Sequence, residues 1–260
     1  MTAWTPVNLL TLAGWWDASD TGTVTDDGTG HCSQWNDKSS NANHVTPQSS
    51  GKPTITAGGI NSLQVLTFGT NTGLQKLAAS SLPSATTGIG FGAIVAPTGL
   101  STTACISLGD HTNSTLESML FEFATTVLHV RTGNINASWA TATYSDVTNP
   151  HLFSGTCSAT LRDVYLDGTA GTSQGTTETA HPSPDICFGR QLAAATNGTP
   201  GKYAEIVLFS GASSADRQNA EGYLAWKWGL QANLPGGHPY APQAPQIPSA
   251  KRSWAQIIGY

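Results

Sequence analysis

Hydrolytic chemistry in this chain would have to begin with its acidic side chains. Acid–base cleavage of a glycosidic bond needs two carboxylates roughly 5 to 9 Å apart, one giving a proton and one attacking or accepting. Along a β-strand, acids at i and i+2 or i+4 share a face and could form such a pair. Glu117 and Glu122 are out of phase, on opposite faces of a straight strand. Glu205, in "YAEIVLF", has no acidic neighbour on its run. Asp163 and Asp167 share a phase, but Asp167 belongs to the Asp-Gly turn predicted in "VYLDGT". No G-x-S-x-G elbow, P-loop or H-E-x-x-H run is present. No catalytic residue is assigned, and the expectation is a chain that is not an enzyme.

Metal and ligand chemistry come next. "DASDTGTVTDDGTG" gathers Asp17, Asp20, Asp26 and Asp27 near glycines. Oxygen-rich loops of this kind can hold calcium, but the spacing is not that of an EF-hand. Aspartate is also frequent in turns because it bonds its own backbone, and turn chemistry is the preferred reading. No cofactor is expected, with calcium at these four residues as the alternative. The seven histidines are scattered without ligand spacing, among them His31, His44, His111 and His129, while His238 in "GGHPY" reads as structural. Sugar rings stack on exposed aromatic faces. Trp139 in "NINASWATATYS", with Tyr144 nearby, is the candidate for that role, because its surroundings are small and polar.

The elements that must position these residues are mostly strands. Only 10% of the 260 residues are charged, against roughly 25% in an average soluble domain. Short apolar runs such as "LQVLTFG", "GFGAIVAP", "SMLFEFA", "VLHVRTG" and "ICFGR" are punctuated by Gly, Asn, Asp and Thr. That pattern predicts an antiparallel sandwich or barrel. The formal charge of −5 and the scattered basic residues argue against nucleic acid. No apolar run approaches the roughly 18 residues of a membrane span. The segment "MTAWTPVNLLTLAGWWDASD" lacks the basic and apolar regions of a secretion signal, so synthesis in a cytoplasm is expected. Cys32, Cys105, Cys157 and Cys187 form no C-x-x-C pair, and buried free thiols are the preferred reading.

One stretch is helical. In "SSADRQNAEGYLAWKWGL", Ser213 is placed as N-cap, with Asp216 completing a variant of the capping box. Ala220, Tyr223, Leu224, Lys227 and Trp228 fall on one face, and Gly229 sits where a left-handed C-cap is expected. The spacing predicts a helix near 214–229 that closes one end of a sandwich, with Trp226 pointing elsewhere. Residues 241–260 form a separate arm. Pro242, Pro245 and Pro248 extend it, and Trp254, Ile257, Ile258 and Tyr260 give it an apolar end for docking, expected on a neighbour.

"YAEIVLFSGASSADRQNAEGYLAWKWGL" and the exit "LPGGHPY" resemble the closing strand, helix and exit of concanavalin A-like, laminin-G-type jelly-roll domains of bacteriophage and bacterial surface proteins. "GWWDASD" and "CSQWNDKSSNANHVT" resemble that family's first strand and its W-x-D-x-S-x-N-x-N-H segment. The resemblance covers roughly residues 10–240. It implies an all-β, antiparallel two-sheet jelly-roll sandwich over residues 1–240 with one C-terminal helix. The expected function is that of a non-catalytic bacteriophage virion component, a capsid decoration, fibre-like protein or tail adhesin. It would sit on the virion surface in several copies and dock on other virion proteins through the arm. The alternative is a module recognising host surface glycans, and beyond it a glycan depolymerase.

Overall fold

The computed structural model describes residues 2–48, 51–99, 103–110, 117–124, 126–131, 139–146, 148–175, 185–192 and 198–247. Among them, two antiparallel sheets face each other. The larger runs Thr169–Ala170, Leu161–Leu166, His151–Cys157, Ile89–Pro97, Gly201–Ser210, Leu63–Phe68 and Thr54–Ile60, with Leu12–Asp17 also paired to Gly201–Ser210. The smaller runs Ala140–Thr143, Val127–Arg131, Glu117–Ala124, Thr103–Gly109, Asp185–Phe188, Leu74–Lys76 and Thr46–Pro47. The expected all-β sandwich with one C-terminal helix is the fold observed.

Alternation decides which side chains enter the core. From the larger sheet come Phe91, Ala93, Val95, Phe153, Ile206 and Leu208; from the smaller come Ile106, Phe121, Phe123, Leu128, Val130 and Phe188. Trp16 and Trp35 lie fully buried among them, each edge-on to Phe188. Each of the Val, Leu, Ile and Phe side chains among them contributes about 1.5–3 kcal/mol by leaving water. The central strands Ile89–Pro97 and Gly201–Ser210 read as nearly unbroken apolar runs because both of their faces are covered.

The second cover is the helix, Ser214–Trp228, and here the expectation needs correcting. It is not an end plug. It lies across the outer face of the larger sheet as a third layer, where Ala220, Leu224, Ala225 and Trp228 form a second core with Ile94, Ala96, Leu152, Val207 and Phe209. Gly92 makes room for it, since a Cβ there would lie 2.9 Å from the Leu224 side chain. Its ends are as expected: Ser213 accepts the amide of Asp216, and Gly229 closes the helix at φ 75°. Trp226, exposed, donates its indole N–H to the Tyr240 carbonyl at 2.8 Å and pins the exit segment.

Charge is buried in this layer and satisfied there. Glu205, with no exposure, accepts from the indoles of Trp15 (2.6 Å) and Trp228 (2.7 Å) and the hydroxyl of Tyr223 (3.0 Å). Lys227 Nζ lies 2.6 Å from Glu205 and 2.8 Å from Asp17. Glu221 is likewise closed in, by Arg217, His238 and Ser154. The arm begins on its own domain: Gln246–Ile247 pairs antiparallel with Thr2–Ala3. All four cysteines are free and buried. Burial pushes the thiols of Cys32, Cys105 and Cys187 up to about 12.

Candidate functional site

Strand parity separates the two aromatics expected to act together. Ala140 and Ala142 point into the core, and Tyr144, on the same parity, follows them. It is 1% exposed, with its ring against Phe123, Phe153 and His151. Tyr144 therefore offers no face to a sugar, and its assignment is corrected. Trp139 has the opposite parity. It is half-buried, and its ring lies against the imidazole of His129 with centroids 4.2 Å apart. Its indole nitrogen has no hydrogen-bond partner among the described residues.

His129 is held on that outer face because Leu128 and Val130 on either side turn inward. The same alternation places Glu122 outward between Phe121 and Phe123, directly opposite His129 in register. His129 Nδ1 and Glu122 Oε1 stand 3.3 Å apart. Sequence reasoning missed this trio. The signal available was the alternation within "SMLFEFA" and "VLHVRTG", which makes both polar residues outward, but only the hairpin register makes them neighbours.

The next residue in that row, opposite His129 on the edge strand, is Thr141, which lines a cavity of about 690 Å³. Volumes of roughly 300–1,000 Å³ suit small ligands. Thr141 and Thr143 form one wall, and the hairpin bearing Thr169 and Thr172, from the other sheet, forms the opposite wall. Between them, Thr141 and Thr172 exchange backbone hydrogen bonds of 3.0 and 2.7 Å, which join the two sheets at this edge. Gly171 permits that approach; a Cβ there would sit 2.3 Å from the Thr141 carbonyl oxygen. Val127, Leu166 and Asn233 add apolar and amide surface to the lining.

Asp167 also lines the cavity. It and Gly168 have φ 49° and 77° and stand between the paired Leu166 and Thr169, a type I′ hairpin turn as "LDGT" predicts. Its carboxylate is fixed. Oδ1 accepts the Leu152 amide at 2.9 Å, and Oδ2 is 2.6 Å from His151 Nδ1. Burial works against the imidazolium of His151, but the hydrogen bond and charge of Asp167, with Asp146 behind, outweigh it and raise its pKa.

The four aspartates named for calcium do not gather around one point. Asp17 and Asp20 share Lys38 Nζ at 3.1 and 2.7 Å. Asp26 Oδ1 accepts the amides of Gly28 and Gly30, and Asp27 accepts the amide of Thr29 and pairs with Lys52 at 2.8 Å. Hydrogen bonds from Lys52 and Thr29 hold the Asp27 carboxyl well below the usual range. Turn and ion-pair roles thus occupy them, which corrects the calcium alternative. His238 faces Glu221 at 3.0 Å and His44 accepts the Asp37 amide, whereas His111 lies outside the described residues. Trp254, Ile257, Ile258 and Tyr260 also lie outside the described residues.

Two stacked sheets and a helical third layer define an all-β sandwich, with a threonine-lined cavity at one edge. No protein-family model matches the chain, and no curated protein matches it. Solved structures do. An arabinofuranosidase complexed with arabinofuranosyl-α-1,2-xylobiose is 14% identical with a TM-score of 0.56, over 90% of this chain and 59% of its own. Domain 4 of AbnA, an extracellular GH43 arabinanase of Geobacillus stearothermophilus, in complex with arabinotriose, is 12% identical (TM-score 0.54) over 81% of this chain and 97% of its own. The receptor-binding domain of botulinum neurotoxin type G is 13% identical (TM-score 0.53) over 81% and 51%. This chain therefore spans about six-tenths of the arabinofuranosidase's length. Identities this low carry the fold alone. They still correct one expectation: this fold is shared with glycoside hydrolases, so the missing acid pair along any one strand does not make the chain non-catalytic. Side chains from different strands, such as Glu122 and His129, are brought together where the sequence showed them apart.

Proposed function

We propose that this chain is a glycan-recognition domain, a concanavalin A-like sandwich that binds polysaccharide at the edge cavity and over Trp139. One observation carries the reading. Thr141, Thr143, Thr169 and Thr172 line one cavity, and the row of neighbours of Thr141 leads through His129 to Trp139. Threonine hydroxyls both donate and accept, as the hydroxyls of a sugar do, and an indole supplies the apolar face. That a domain of the same fold is complexed with arabinotriose, and others are toxin receptor-binding domains, supports the reading. Calorimetric titration of the whole chain with soluble polysaccharides tests it, with Trp139→Ala as the control. Millimolar sugar without binding would remove it.

Cleavage of the bound glycan is a second reading, favoured by the Glu122–His129 pair beside Trp139. Release of new reducing ends, lost in Glu122→Gln, is its test. Display on a bacteriophage virion, in several copies held by the arm's apolar end on neighbouring virion proteins, is proposed on the sequence resemblance alone. Truncation after Ile247 keeps the strand paired with Thr2–Ala3 and should abolish incorporation into particles; normal assembly of the truncated chain would overturn the docking role.

A further inference from the structure

We infer that the edge cavity selects neutral glycans over acidic ones, and that Asp167 is the residue that sets this preference. The inference rests on glycan recognition at this cavity, proposed above. Among the described lining residues Asp167 is the one charged side chain, and none is Lys or Arg. A sugar carboxylate entering here meets a like charge, with no Lys or Arg among the described lining residues to receive it.

Asp167 cannot move aside. Both turn residues are in the left-handed region, and the pairing of Leu166 with Thr169 fixes the backbone on either side. His151 and the Leu152 amide each take one carboxylate oxygen. Each oxygen keeps a further lone pair for a ligand hydroxyl, since a carboxylate has about four acceptor sites. Two histidines stand close behind the lining, His129 opposite Thr141, where it faces Glu122, and His151 against Asp167. His151 Nδ1 is hydrogen-bonded to Asp167 at 2.6 Å and its Nε2 lies 3.8 Å from Asp146 Oδ2, so the charge of its imidazolium faces two carboxylates of this chain before it faces a ligand. The rest of the lining is hydroxyl, amide and aliphatic, the complement of an uncharged polyol. The chain's net charge of −5 adds a repulsive field at longer range.

The test uses one pair of ligands differing only in charge: a soluble neutral hexose polymer, and the same polymer oxidised at C6 to the carboxylate. A small panel of such pairs is titrated into the full chain at low salt. The neutral member should bind at least about tenfold more tightly, with a gap that narrows as salt screens the repulsion. Asp167→Asn should bring the oxidised member to within a few-fold of the neutral one. Asparagine tolerates the left-handed turn, its Oδ1 still accepts the Leu152 amide and its NH2 can donate to the neutral imidazole Nδ1 of His151, so that variant keeps the hairpin. Equal binding of both members by the unaltered chain would overturn the inference and leave glycan recognition standing. An undiminished gap in Asp167→Asn would remove Asp167 from the role. Failure of every pair to bind would instead remove the glycan reading itself.

Discussion

Trp228, on the helix, donates its indole N–H to Glu205, on a central strand of the larger sheet, across 2.7 Å. The bond explains why a β protein carries one Trp-bearing helix: the helix brings the donors that a buried carboxylate needs. Lys227 and Tyr223, from the same helix face, also reach Glu205, and Trp15 approaches it from the neighbouring strand.

Glu205→Ala should therefore be severe. It leaves Lys227 with Asp17 alone and strands two buried indole N–H groups, a loss of about 3–5 kcal/mol by the cost of breaking a buried charge pair from one side. Denaturant unfolding should show a lower midpoint with an unchanged slope. A midpoint within error of the unaltered chain would mean that the network adds nothing to the docking of the helix.

Gly222 sets two effects against each other. Alanine at this helical position would gain about 1 kcal/mol in helix propensity. Its Cβ, however, would lie 2.6 Å from the Cβ of Tyr240, which Trp226 helps to hold. The collision is with the root of a side chain and cannot be relieved by a rotamer change, so the steric cost wins. Gly222→Ala should lower Tm by several degrees, as roughly 2–4 °C per kcal/mol applies at this size. An increase in Tm would show that the exit segment yields.

Much of this arrangement was legible and part was not, for definite reasons. Ser213 and Gly229 marked the helix ends because caps are local chemistry. Asp167-Gly168 marked its turn for the same reason. Which surface the helix covers was not local. An apolar stripe says that a face is buried, and only Gly90 and Gly92, on the strand that receives the helix, hinted that the outer face of the sheet was the receiver. Tyr144 looked like a neighbour of Trp139 in sequence, but the alternation that put Ala140 and Ala142 inward took Tyr144 with them. Glu122 with His129, and Asp167 with His151, meet only through strand register, which no single run of residues encodes.

The His151–Asp167 contact gives stability a pH dependence of known sign. The folded pKa of His151 is raised, so the folded chain holds that proton more tightly than the unfolded one. The contribution is complete below the ordinary imidazole value of about 6.5 and is lost as pH rises through the raised folded value. The stability difference between the unaltered chain and His151→Gln should shrink as pH is raised across that window. Urea midpoints measured on both at a series of pH values would show it. A difference that grows with pH would mean that the neutral imidazole is the stabilised form.

Tyr144→Phe and Trp139→Ala together separate packing from recognition. The Tyr144 hydroxyl is buried without a partner among the described residues. An unsatisfied buried polar group of this kind costs about 1–3 kcal/mol. Removing it while keeping the ring should therefore raise Tm, and should leave polysaccharide affinity untouched because no part of Tyr144 reaches the cavity. Trp139→Ala removes a half-exposed ring whose main described contact is His129, so it should change Tm little while weakening binding by about tenfold, as loss of an aromatic stacking face does. If Tyr144→Phe lost affinity, or Trp139→Ala kept it, the assignment of these two rings to core and to surface would have to be exchanged.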